Sequence, residues 1–194
     1  HIWDCDKETG VWKKTSRLQS SVPPEILFIE RCTQFLAPGG RMGIVLPDSI
    51  LGSPGLGYIR EWMIQNHRIV ASIDLNADTF QPRNGTQTSV LILQKKTQEQ
   101  RDAEEKSGKM ADYNIFMAMV EKVGHDKRGN PLFKRDKEGN EILVPDTNSV
   151  LVLGETGDGQ RTVSHEQKVK VEDDQTPDVP AIFAEWKKQE GLGW

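Results

Sequence analysis

The sequence predicts an α/β fold, a sheet whose strands are joined by crossover helices. Three observations carry this. Residues 42–46 (M-G-I-V-L) and 69–73 (I-V-A-S-I) are short, largely apolar runs of strand length. Between them, Leu56, Ile59, Trp62 and Met63 recur at helical spacing. The first run does not alternate apolar with polar residues, the pattern of a strand buried on both faces. Helix, strand, helix, strand is the order expected of such a sheet.

The elements follow in order. Residues 1–22 are polar and carry Trp3 and Trp12 on either side of the turn-like segment 6–10 (D-K-E-T-G), which predicts a hairpin with the two rings paired across it. Pro23 and Pro24 open a helix, since proline in the first turn forfeits no intrahelical bond, and Glu25 suits the positive end of its dipole. Ile26, Ile29 and Thr33, with Phe28, Cys32, Phe35 and Leu36, form a broad apolar face. The stretch A-P-G-G at 37–40 ends this helix through a glycine cap. The run 42–46 closes at Pro47, residues 48–57 read as a loop, and the second helix ends at Asn66 and His67. Strands are expected at 68–75 and 89–93, a charged connector without an apolar face at 97–109, and a sheet-edge strand within 113–123. Residues 126–130 (D-K-R-G-N) recur as 136–140 (D-K-E-G-N), with an Asp opening and a late Gly that suit tight turns. Residues 154–180 read as a polar linker or tail, and 179–189 as a short terminal helix. We expect two parts, 1–123 holding the sheet and 124–194 a hairpin-like extension with linker and helix.

Composition narrows the function. The 194 residues are 36% hydrophobic and 28% charged, with a net charge of −4. That balance gives no overall nucleic-acid footprint, although a local basic groove is compatible with it. Cys5 and Cys32 are too far apart for a zinc site and too few for a disulfide scaffold, a usage that fits a reducing cytoplasm. No apolar run approaches bilayer length, so no membrane partner is expected. The chain begins at His1 rather than Met, and we expect it to be part of a longer polypeptide.

Few residues suggest chemistry by themselves. His1, His67, His125 and His165 have no partner at a useful spacing, and neither G-x-S-x-G nor H-E-x-x-H occurs. The alternate positions after Asp126 hold Arg128 and Asn130, which defeats calcium ligation, and no metal is expected. Residues 52–57 (G-S-P-G-L-G) follow a strand and precede a helix, yet their order is not G-x-G-x-x-G, and Asp74 is not the acidic partner of a dinucleotide loop. We expect a flexible loop there. The segment 78–88 (D-T-F-Q-P-R-N-G-T-Q-T) joins two strands and holds a solitary aromatic, Phe80, outside any periodic pattern. On spacing alone, a loop ring tucked over the sheet edge and a functional ring are equally good readings.

Together, P-P-E-I-L-F-I-E-R-C, G-G-R-M-G-I-V-L-P-D-S-I-L, G-Y-I-R-E-W and D-T-F-Q-P-R-N-G-T-Q-T-S-V-L-I-L-Q-K-K resemble the later part of an N6-adenine DNA methyltransferase, in particular the modification subunits of type I restriction–modification systems. The resemblance implies the C-terminal half of a Rossmann-like, S-adenosylmethionine-dependent methyltransferase sheet. Residues 41–46 would be its fifth strand, 68–75 its sixth, and 89–95 an antiparallel seventh inserted between them. It further implies that Phe80 packs on an adenine flipped out of the duplex and that Pro47 and Asp48 line the base pocket. Arg83 and Arg60 would contact DNA phosphates.

The family's glycine-rich donor loop and its Asn/Asp-Pro-Pro-aromatic motif are not found in these residues; Pro23 and Pro24 precede Glu25 instead. The resemblance thus places no catalytic or cofactor-binding residue in this chain, which is expected to be inactive alone. S-adenosylmethionine would be the cofactor of the full-length, cytoplasmic protein, and DNA with the specificity and restriction subunits its partners. The competing reading is a non-catalytic α/β interaction module docking partner subunits or DNA. An upstream sequence lacking the Asn/Asp-Pro-Pro-aromatic motif would favour that alternative.

Overall fold

In the computed structural model, which describes residues 1–153 and 160–194, a four-stranded sheet is built from β3 (Arg41–Pro47), β4 (His67–Asp74), β5 (Thr88–Lys95) and β6 (Phe116–Met119). Two short strands, β1 (Trp3–Cys5) and β2 (Trp12–Lys14), precede them. The order across the sheet is β3, β5, β4, β6. β5 runs antiparallel to both of its neighbours, and β6 lies parallel to β4 at the edge. The expected insertion of a reversed strand between two parallel ones is therefore present.

Helices α1 (Pro24–Phe35), α2 (Asp48–Gly52) and α3 (Gly57–Asn66) contribute to the core together with β3 and β5. That core joins Ile26 and Ile29 to Leu46, Ile50, Ile59, Met63, Leu91 and Leu93. Two expectations need correction here. Only the stripe Ile26, Ile29, Thr33 of α1 is buried, whereas Phe28 is 62% exposed and Leu27 and Phe35 are exposed too. A helix laid on one sheet face buries the residues three and four apart that point at it, and a second stripe must face elsewhere. Likewise β3 is an edge strand among the described residues, and Val45 stands half-exposed where burial on both faces was expected.

The end of α1 is also not a glycine cap. Leu36 is the extended C-cap residue, and the Lys95 Nζ donates to the carbonyls of Thr33 (2.9 Å) and Leu36 (2.7 Å). An ammonium group there satisfies carbonyls that the helix leaves free and suits the negative end of the dipole. Gly39, at φ +76°, instead serves the turn into β3. The adjacent Lys96 is buried, donating to the Ile64 carbonyl (2.8 Å) and pairing with Glu104 Oε2 (2.6 Å). Glu104 lies on α4 (Gln98–Ser107), a helix with no buried residue, whose start is fixed by a capping box between Thr97 and Gln100.

His67 opens β4 at 0% exposure. Its Nδ1 lies 3.1 Å from the Met63 carbonyl and its Nε2 3.1 Å from the Thr33 hydroxyl. The carbonyl can only accept, so Nδ1 carries the proton. Burial, and then the nearby Lys95 and Lys96 charges, hold the ring pKa below its ordinary 6.5. The Thr33 hydroxyl donates to the Ile29 carbonyl (2.8 Å) and lies against Nε2 of the neutral ring, a contact that joins α1 to the start of β4. A histidine neutral in the fold and readily protonated when unfolded costs stability as pH falls below 6.5, until the folded-state pKa is passed. Urea unfolding of a His67→Gln variant is accordingly expected to show a smaller loss of stability between pH 7 and 5 than the parent, over a range where most carboxylates stay charged. Equal slopes would remove this role.

The outlying parts refine other expectations. β1 and β2 form the expected hairpin, but Trp3 faces Lys14 and Trp12 faces Cys5. The two indoles meet Tyr58 of α3 instead, at centroid distances of 6.2 and 5.7 Å. The two five-residue repeats are tight turns, with Gly129 and Gly139 at φ +82° and +90°. β7 (Leu143–Leu153) and β8 (Gln160–Lys170) pair antiparallel along their whole length. The linker reading therefore fails for residues 160–170. Its composition is polar, and its few β-branched residues, Thr162, Val163 and Val169, follow no two-residue pattern, so the strand is set by its pairing with β7 rather than by a local signal. The linker reading of residues 154–159 lies outside the described residues. α5 (Val179–Gln189) packs on β6, where Phe116 meets Phe183 (5.2 Å) and Trp186 (5.6 Å). Among the described residues, no helix is long and apolar enough to cross a membrane, and no group of acidic, His or Cys residues is arranged to hold a metal.

Candidate functional site

Three strand ends meet at one edge of the sheet. β3 leaves it at Pro47, β4 leaves it at Asp74, and β5 enters it at Thr88. Register places Pro47 beside Thr88, and Ser89 between Leu46 and Asp74. A polar knot follows from that placement. The Ser89 hydroxyl donates to Asp48 Oδ1 (2.8 Å), and the Asp48 amide donates to the Gln87 carbonyl (3.0 Å). Gln87 Nε2 in turn donates to Asp74 Oδ1 (2.9 Å) and to the Leu75 carbonyl. Pro47 is the N-cap residue of α2, and Asp48 is the acid of its first turn. Thr88 is buried, and its hydroxyl has no hydrogen-bond partner among the described residues, an uncommon state for a buried polar group.

The loop between β4 and β5 is tied down along its length. Asn76 Oδ1 accepts from the Asp78 amide (2.7 Å), and its carbonyl accepts from the Thr79 amide (2.9 Å) and hydroxyl (2.6 Å). The Phe80 carbonyl accepts from the amides of Arg83 (3.2 Å) and Asn84 (3.0 Å). Asn76 Nδ2 reaches the Glu121 carbonyl beyond β6. On this ordered backbone the Phe80 ring is 42% exposed, with no other ring against it among the described residues. A well-bonded loop thus holds a large aromatic side chain partly in solvent.

The sequence-derived site residues thus separate into two groups. Pro47 and Asp48 lie at the sheet edge and connect to the Phe80 loop through Gln87. Arg83 is exposed on that loop, and its side chain has no described partner. Arg60 is half-buried on α3, where its Nη1 donates to the carbonyls of Ile50 (3.0 Å) and Ser53 (2.9 Å), holding the end of α2. Ser89, Gln87 and Asp74 belong to the site but were missed. Their only sequence signal is polarity at the mouth of otherwise apolar strands.

The glycine segment 52–57 requires a correction. It is not a flexible loop: α2 ends at Gly52, a 3-10 turn spans Pro54–Leu56, and α3 starts at Gly57. The Ser53 amide donates to the Ser49 carbonyl and the Leu56 amide to the Ser53 carbonyl. A Cβ on Gly57 would stand 2.5 Å from the Trp12 indole nitrogen, so that end is closed by packing. With these amides committed and one end blocked, the segment does not fit a cradle for a methyl-donor cofactor.

Comparison with known proteins gives the geometry a family. No curated protein matches the chain. A solved structure from Listeria monocytogenes, described as a class I S-adenosylmethionine-dependent methyltransferase, is similar at 22% identity and a TM-score of 0.38 over 48% of this chain. The match covers only 26% of that structure's own chain. The family model for N-6 DNA methylases matches residues 3–141. That span runs from the first tryptophan strand through the whole four-stranded sheet and the Phe80 loop to both glycine turns, and on it the chain belongs to the N-6 DNA methylase family.

Proposed function

We propose that this chain is the acceptor-base side of a site-specific DNA adenine-N6 methyltransferase, the modification subunit of a type I restriction–modification system. The observation that carries the reading is Phe80, half-exposed on a bonded loop that leads directly into the reversed strand β5. An adenine turned out of the duplex loses its stacking neighbours, and an aromatic face restores about 1–3 kcal/mol. Phe80 supplies that face. Pro47 and Asp48 border the base from the end of β3, with Asp48 oriented by Ser89. Arg83 contacts a neighbouring phosphate. Arg60 acts through structure, holding the helix that begins at Asp48.

The methyl donor, S-adenosylmethionine, and the group that orients the amine are held by residues outside this chain, which is inactive alone. DNA-site choice rests with a specificity subunit, a restriction subunit completes the assembly, and the system works in the cytoplasm. The direct test incubates the full-length polypeptide and its specificity partner with isotope-labelled S-adenosylmethionine and DNA, then digests the DNA to nucleosides. Label in N6-methyladenine is the expected product. Label confined to cytosine, or none in DNA, rejects the assignment.

A further inference from the structure

The twin turns 126–130 and 136–140 share one construction. In each, the opening Asp Oδ1 accepts from the amides two and four residues on, at 2.8 and 2.9 Å for Asp126 and 3.0 and 2.8 Å for Asp136. In each, the other carboxylate oxygen accepts from the closing Asn side chain. These bonds hold both carboxyls below the usual carboxylate range. The two turns differ in surroundings and in charge. Around Gly139 there is open space, whereas a Cβ on Gly129 would meet Pro82 Cδ at 3.3 Å. The first turn is therefore seated against the Phe80 loop, and the second is not. The first carries two cations, Lys127 and Arg128, and one carboxylate, while the second carries one cation, Lys137, and two carboxylates.

At the point of contact, Gly129 follows Arg128 and Pro82 precedes Arg83. Lys127, Arg128 and Arg83 are all exposed; the side chains of Lys127 and Arg83 have no described partner, and Arg128 acts only through its charge on the Asp126 carboxylate of its own turn. In the second turn the flanking Arg135 is already engaged, by the Gly139 carbonyl and by Glu141. The Gly129–Pro82 approach thus brings the backbone segments that carry Lys127, Arg128 and Arg83 together beside the Phe80 loop, and in a protein of net charge −4 these exposed cations form a local basic feature rather than a general one. Backbone phosphates are the ligand that such a cluster fits, because cations that displace condensed counterions bind without reading sequence.

We propose that the turn 126–130 is a second DNA-contacting element of this site, in which Lys127 and Arg128 hold backbone phosphates beside the nucleotide that Phe80 receives. The proposal rests on the reading that the full-length protein methylates DNA. The rigid turn sets the register of the backbone, and the Phe80 loop packed against it receives the base. The second turn is a built-in control, since it has the same backbone but lacks both the charge and the position.

The test compares the full-length polypeptide with a Lys127→Gln/Arg128→Gln double variant and with Lys137→Gln, using fluorescence-anisotropy titration of duplex DNA across a range of salt. Removing two phosphate contacts is expected to weaken binding roughly tenfold or more at moderate salt. It should also reduce the slope of log affinity against log salt by about two. Lys137→Gln should match the parent in affinity, salt slope and methyl transfer. An unchanged affinity and salt slope in the double variant overturns the proposal while leaving the methyltransferase reading intact. Loss of partner-subunit association with an unchanged salt slope overturns it as well, assigning the turn to a protein contact. A parent protein that neither binds nor methylates DNA overturns both. A melting curve for each variant separates these outcomes from misfolding.

Discussion

Replacing Phe80 with alanine in the full-length protein is expected to lower kcat/KM for DNA methylation by roughly ten- to a hundredfold, the kinetic equivalent of the about 1–3 kcal/mol that one base gains by stacking on an aromatic ring. Thermal stability should change little, because the ring is 42% exposed and the loop is held through backbone and Asn76 contacts that alanine leaves in place. Phe80→Tyr and Phe80→Trp retain an aromatic face and should keep most of the activity. The pattern distinguishes stacking from general disruption: a loss with alanine and rescue by another ring means the face matters. Methylation by Phe80→Ala at the parental rate removes Phe80 from the base site.

The largest expected effect on stability comes from Phe116→Ala. Phe116 is 7% exposed on β6, packed edge-on to Phe183 and tilted against Trp186. Truncating a buried Phe typically costs about 3–5 kcal/mol, from lost transfer energy and the cavity left behind. Here the cavity opens between β6 and α5, so the loss should fall first on the attachment of α5. Denaturant melting should show a lowered midpoint. Amide exchange should rise across residues 179–189 before it rises in β5, the central antiparallel strand. Uniform exchange in parent and variant, with an unchanged midpoint, would mean that α5 does not depend on this contact.

What the sequence revealed of this protein depended on the range over which each signal acts. The strands of the sheet were legible because Val, Ile and Leu runs of strand length are a local property, and helix α3 because its apolar spacing is local too. The reversed placement of β5 came from resemblance, since nothing within residues 89–95 encodes which neighbours they join. Phe80 stood out because it breaks every periodicity around it. The knot linking Asp48, Ser89, Gln87 and Asp74 was not legible: its bonds span up to 41 positions, and each residue alone looks like ordinary strand-end polarity. Arg60 misled because an arginine on a helix suggests a surface charge, whereas carbonyls ten and seven positions away claim it. Trp3 and Trp12 misled because a hairpin offers each the other as partner, while Tyr58 arrives from a distant helix.

The meeting of three strand ends at one sheet edge has a consequence for how such a protein can change. Every residue of the proposed pocket, from Pro47 to Ser89, lies within one uninterrupted stretch of sequence. Heredity can therefore handle the acceptor end as a single unit. A recombination event with both breakpoints outside that stretch transfers the ring, its loop and the polar knot together, with their mutual fit preserved. A breakpoint inside it separates Asp48 from Ser89, or Gln87 from Asp74, and strands a buried polar group in the hybrid. Viable chimaeras between relatives should thus have junctions clustered in the segment before β3 and in the charged helix after β5, a record of past exchange that would be written in where the lineages disagree about their ancestry.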